Sequence, residues 1–101
     1  MFYVQGFYKI KRITKCNQYK NALKKFLLSE FVKGTIILSP EGINGTIAGK
    51  KKDVKNCIEY IKDKFSIVSF DSYNISICEF LPFYRAKVKV KSESKKEKLL
   101  C

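Results

Sequence analysis

Residues 34 to 49 read G-T-I-I-L-S-P-E-G-I-N-G-T-I-A-G and lie between two segments of helical period, which limits how this chain can fold. Residues 35 to 38 and 46 to 48 are β-branched or apolar, and the stretch between them holds Pro40, Gly42, Asn44 and Gly45. Proline presets its φ, glycine admits backbone closed to other residues, and asparagine bonds its own main chain, so each suits a bend for a different reason. The pattern predicts a β-hairpin with a loop of about five residues. A hairpin in mid-chain requires the segments before and after it to complete the sheet from either side.

Both flanking segments fit that demand. In residues 16 to 31, Tyr19, Ala22, Leu23, Phe26 and Leu27 fall at i, i+3, i+4, i+7 and i+8, one face of a helix. Thr14 is its candidate N-cap and Gly34 its candidate C-terminal turn. In residues 50 to 65, Val54, Cys57, Ile58, Ile61 and Phe65 repeat the spacing, with Cys57 acting as a small hydrophobe. Asp53 near its start and Lys62 and Lys64 near its end suit the helix dipole.

Residues 2 to 10, F-Y-V-Q-G-F-Y-K-I, are aromatic and β-branched and predict a first strand covered in part on both faces. Residues 73 to 79 alternate, with Tyr73, Ile75 and Ile77 on one face and Asn74, Ser76 and Cys78 on the other, a strand with one exposed side. After a turn at Pro82, Ala86, Val88 and Val90 point inward while Arg85, Lys87, Lys89 and Lys91 point outward. The order is β-α-β-β-α-β plus one strand. The compact arrangement of that order is an α+β, ferredoxin-like sandwich with both helices on one face of the sheet. One domain is expected over residues 1–92, followed by a frayed basic tail at 93–101. The hairpin's second strand should be central, where its glycines admit close packing.

Charge bears on function. Lys and Arg number 21 against 9 acidic residues, a formal +12, which argues for a polyanionic partner, nucleic acid ahead of a membrane surface. The competing reading is a general lysine bias, since Arg12 and Arg85 are the only arginines. Arg85, Lys87, Lys89 and Lys91 stretch along about 20 Å of one strand face. Such a row can follow three or four phosphates, with Tyr84 and Phe83 beside it for stacking. Equally, lysines keep an edge strand soluble and unpaired. The hairpin residues Glu41, Gly42, Asn44 and Gly45 form either a plain tight turn or a concavity of N–H groups that accepts an anion. No G-K-[ST] follows, so this is not a P-loop.

Enzyme chemistry finds little to work with. There is no histidine, the acidic residues are scattered, and Cys16, Cys57, Cys78 and Cys101 form no C-x-x-C pair. Free thiols in a reducing compartment are expected, with no metal and no cofactor. Val4-Gln5-Gly6 is similar to the phosphate-cradle motif of acylphosphatases, which share the element order. Where those enzymes carry an arginine and an asparagine this chain has Ile10 and Leu38, so acylphosphatase activity is not expected. The N-terminus lacks an apolar run with a small-residue cleavage site, and no segment is long and apolar enough for a bilayer. A soluble, cytoplasmic protein is expected.

The run K-G-T-I-I-L-S-P-E-G-I-N-G-T-I-A-G (residues 33 to 49) and the later F-Y-R-A-K-V-K-V-K (83 to 91), ahead of Lys95-Lys96-Glu97, resemble the N-terminal domain of the rhodanese-like tRNA uridine-34 hydroxylases. The resemblance covers essentially the whole chain. It implies a ferredoxin- or acylphosphatase-like domain, tRNA as partner, and a rhodanese domain elsewhere that carries the active-site cysteine and uses oxygen to make 5-hydroxyuridine at the wobble position. These 101 residues contain no such domain, and no nucleophile is carried onto Cys101. The expected role is to hold tRNA or to support the catalytic domain, without hydroxylation by the chain alone. The alternative is a non-catalytic protein-interaction module of the same fold.

Overall fold

The helical and alternating stretches take up their elements in a computed structural model that describes residues 1–91. In chain order these are β1 (Phe2–Ile10), α1 (Cys16–Ser29), β2 (Lys33–Ser39), β3 (Gly42–Gly49), α2 (Lys51–Phe65), β4 (Ser72–Cys78) and β5 (Ala86–Val90). One five-stranded sheet has the order β4-β1-β3-β2-β5, in which β2 and β5 are parallel and the other neighbours antiparallel. This is the ferredoxin-like plan with its extra strand beside β2, and β3 is central. The expected tail at 93–101 lies outside the described residues.

Period decides the buried face of each helix. Val54, Cys57, Ile58, Ile61 and Phe65 of α2 are all buried, and α1 buries Leu23 and Leu27 with Tyr19 and Phe26 packed at the margin. They meet Ile36, Leu38, Ile43, Ile47 and Val88 on one face of the sheet. Each aliphatic side chain so buried contributes about 1.5–3 kcal/mol. Phe26 stacks on Tyr60 at 4.0 Å between ring centroids, joining the two helices. Both helices lie on this one side, which leaves the other sheet face open.

Several local expectations are corrected. The hairpin closes earlier than composition suggested: only Pro40 and Glu41 separate β2 from β3, and Gly42, Asn44 and Gly45 are strand residues. Thr14 does not cap α1; Lys15 occupies that position in a left-handed conformation without a side-chain cap bond. Gly34 does not end α1 either. Phe31 takes the positive φ there, while Gly34 sits inside β2 at φ +131°, where a Cβ would collide with the Thr46 carbonyl oxygen. Ile13, in the connection between β1 and α1, is buried in the core.

The largest departure is β4. Its Tyr73, Ile75 and Ile77 pair with Phe7, Gln5 and Tyr3 and so lie on the helix side of the sheet, yet all three are exposed. Alternation set the side correctly, but burial depends on what stands above it. α2 packs over β1 and β3 and α1 over β2 and β5, so no helix reaches β4.

Candidate nucleic-acid interface

Register sorts the open face into rows. Ser72, Tyr8, Asn44, Ile37 and Lys89 are successive cross-strand neighbours from β4 to β5, and Asn74, Gly6, Thr46, Thr35 and Lys87 form the next row. Five strands make each row about 19 Å wide. Each row ends on a lysine of β5. Lys87 and Lys89 are exposed because Ala86 and Val88, one residue away, face the helices and are buried. The strand is held at both ends: Gly34 N–H donates to the Arg85 carbonyl at 2.9 Å, and Lys91 N–H donates to the Leu38 carbonyl at 2.8 Å. The spacing of Arg85, Lys87, Lys89 and Lys91 is thus set by the main chain.

Beside this row the sheet is hollowed. A groove lined by Tyr8, Ile10, Arg12, Ile37, Asn44 and Lys91 opens near the hairpin. A second, lined by Thr35, Ile37, Tyr8, Asn44, Thr46 and Phe83, continues from it, and a third runs beside Thr35, Phe83, Tyr84, Arg85 and Lys87. Shared lining residues join them into one trough along β5. The wall at Phe83 comes from the connection between β4 and β5, which must cross from one edge of the sheet to the other. Tyr84 is 95% exposed and next to Arg85. A trough with aromatic and amide side chains on its floor and a fixed row of cations on one side suits stacked bases with their phosphates alongside.

The hairpin end is braced from within. Glu41 N–H donates to the Ser39 hydroxyl at 3.2 Å, and that hydroxyl donates to the Gly42 carbonyl at 3.4 Å. Lys11 N–H donates to the Glu41 carbonyl at 3.0 Å and Ile13 N–H to the Pro40 carbonyl at 3.1 Å. The Lys11 and Ile13 amides are therefore committed to the hairpin, while Val4, Gln5 and Gly6 lie within an unbroken strand. Leu38 is fully buried among the core side chains.

The predicted site residues separate into two groups. Arg85, Lys87, Lys91 and Tyr84 line the trough, Lys89 stands exposed between Lys87 and Lys91 on β5 opposite Ile37, and Glu41, Gly42 and Asn44 line the hairpin end. Gly45 does not join the open face. It pairs with Phe7 and Ile36 on the helix side, where a Cβ would come within 2.6 Å of the Thr35 carbonyl. Tyr8, Arg12, Thr35 and Ile37 belong to the trough and were not singled out from the sequence. Parity along β1 and β2 carries that signal, but only once the strand order is known.

Burial, reinforced by the Glu30 and Asp53 carboxylates, pushes the Cys57 thiol up to about 12, and burial also raises Cys16. Asp71 is held below the usual carboxylate range by the Ile10 N–H at 2.7 Å and by the Lys9 ammonium at 3.4 Å, so it clamps the end of β1. Among the described residues no three His, Cys, Asp or Glu side chains gather as a metal site, and no helix is long and apolar enough to cross a membrane.

Residues 2–93 match the model of the UPF0176 acylphosphatase-like domain. The chain belongs to that family. It is 45% identical over 93 residues to the tRNA uridine(34) hydroxylase of Pelagibacter ubique strain HTCC1062, a match covering 92% of this chain and 31% of that protein. The chain thus spans about a third of its relative's length. Solved structures extend the likeness in fold alone. Acylphosphatase from Bacillus subtilis matches 90% of this UPF0176 domain and 100% of its own chain, with a TM-score of 0.59 at 11% identity. The BLUF protein BlrB in its dark state matches 97% of the domain and 76% of its own chain, with a TM-score of 0.67 at 11% identity.

Proposed function

We propose that this UPF0176 domain is the N-terminal, tRNA-holding module of a tRNA uridine(34) hydroxylase. The observation that carries the reading is the 45% identity to the Pelagibacter enzyme across 92% of the chain. The braced cation row and the trough beside it support the holding role, because phosphates need cations at fixed spacing and unpaired bases need flat side chains to stack on. Hydroxylation itself belongs to a rhodanese-like domain beyond these residues, for which this module orients the RNA in the cytoplasm. Burial raises both Cys16 and Cys57, which disfavours the thiolate at these two positions.

Two assays on the 101-residue chain test this reading. The chain is expected to bind unmodified tRNA at low ionic strength and to leave its uridines unhydroxylated under air. Absence of tRNA binding at 50 mM salt would remove the holding role, and hydroxylated uridine in the product would overturn the assignment of catalysis to another domain.

A further inference from the structure

The two edges of the sheet are built differently. β5 carries Lys87 and Lys89 within five residues, the usual protection of an exposed edge. β4, the opposite edge, reads S-Y-N-I-S-I-C and has no charged residue. Of the other strands only the central β3, G-I-N-G-T-I-A-G, is likewise uncharged. In a chain with 30% charged residues, β4 has the composition of an interior strand at an edge position.

Backbone geometry leaves that edge ready to pair. Lys11 N–H donates to the Glu41 carbonyl, so odd-numbered residues of β1 turn their peptide groups toward β3 and even-numbered ones toward β4. With Gly6 opposite Asn74 and Val4 opposite Ser76, the even-numbered residues of β4 answer β1. The N–H and C=O groups of Tyr73, Ile75 and Ile77 therefore face outward. Their side chains, on the helix side, are 63%, 46% and 63% exposed.

We infer that β4 is a pairing edge and that its occupant is β4 of a second copy, antiparallel about a two-fold axis at Ile75. In that register Ile75 meets Ile75 and Tyr73 meets Ile77 on the helix side, while Asn74 meets Ser76 on the open side. These pairs are apolar on apolar or polar on polar, with Ser72 opposite Cys78 at each end, so the centre of the strand complements itself. A strand without charge has nothing to select a particular foreign sequence by charge complementarity, whereas self-complementarity selects a copy. The one like-charged approach, Asp71 to Glu79 at each end, is shared with the Lys9 ammonium that lies 3.4 Å from Asp71. An axis perpendicular to the sheet keeps both open faces on one side, so the dimer presents two β5 cation rows about 40 Å apart on a ten-stranded sheet.

Sedimentation equilibrium on the 101-residue chain, without RNA, tests the inference. A species of twice the 11.7 kDa chain mass is expected to grow with protein concentration. It is expected to strengthen between 50 and 500 mM salt, since salt screens repulsion between two +12 chains. RNA binding runs the opposite way with salt, so failure of one reading is distinguishable from failure of the other. Ile75→Lys places two ammonium groups at the axis and is expected to abolish the dimer, with circular dichroism confirming the fold. Leu28→Lys, the same change on exposed α1, is expected to leave it intact. Hydrogen exchange should show the amides of Tyr73, Ile75 and Ile77 gaining protection as concentration rises. A chain that stays monomeric to 1 mM overturns the proposal, as does a dimer that survives Ile75→Lys.

Discussion

Conversion of Lys87, Lys89 and Lys91 to Gln tests whether the cation row or the overall charge of the chain attracts RNA. The row runs from Arg85 to Lys91 and is tied to β2 by the hydrogen bonds at Arg85 and Lys91, so its four cations act at fixed spacing. If each neutralises one phosphate of a single-stranded segment, log K against log salt should have a slope of about −2.8, at ~0.7 per phosphate. Affinity then falls about 50-fold between 50 and 200 mM salt. The triple variant keeps only Arg85, so its slope should drop to about −0.7 and the loss over that range to about threefold. Filter binding of tRNA at four salt concentrations reads the slope directly. The control is Lys24, Lys25 and Lys55 to Gln, an equal loss of charge on the helical layer, where all three are exposed. It should leave the slope near −2.8. Tyr8→Ala adds an orthogonal check: loss of a stacked base costs about 1–3 kcal/mol at every salt concentration without changing the slope. If the helical-layer variant loses as much slope as the β5 variant, diffuse charge rather than a built row attracts RNA.

Three further predictions concern the scaffold. Gly34→Ala places a Cβ against the Thr46 carbonyl at φ +131°, which should cost at least about 2 kcal/mol and lower Tm by roughly 8–16 °C; a shift under about 2 °C in a thermal melt would refute the close β2–β3 approach. Because Asp71 has a depressed folded pKa, its stabilisation is present above about 3.9 and is lost as pH falls through the folded value. Asp71→Asn should therefore be less stable than the parent at neutral pH and converge on it in acid, and a gap in melting temperature that widens in acid would contradict the clamp. With its thiol pushed up to about 12, Cys57 should resist alkylation at pH 8 in the native chain and react only in denaturant, while half-buried Cys16 and Cys78 react first; peptide mapping by mass spectrometry separates the sites.

Some of this protein was legible because the signal was local and periodic. The five apolar positions of α2 all proved buried, since a 3.6-residue period places them on one face and only that face can meet the sheet. Alternation likewise put Lys87 and Lys89 outward against Ala86 and Val88 inward. The hairpin was placed correctly but drawn too loosely. Gly42, Asn44 and Gly45 looked like loop residues, yet their backbone continues β3 because β1 and β2 pair with it on both sides. Composition records the tolerance of these residues for bends, and pairing overrides it.

The sequence by itself determined the two helices, the number and order of the strands along the chain, the two faces of β4 and β5, and the family. Only tertiary structure decided which strands stand at the edges, because strand order depends on contacts between residues far apart in the chain. Edge position explains why Tyr73, Ile75 and Ile77 are exposed although their alternation points them inward. It also joins Tyr8 of β1, Asn44 of β3 and Ile37 of β2 in one row that ends on Lys89. Period two assigns a residue to a face; which strands lie beside it, and whether a helix covers it, depends on the packing of the whole sheet.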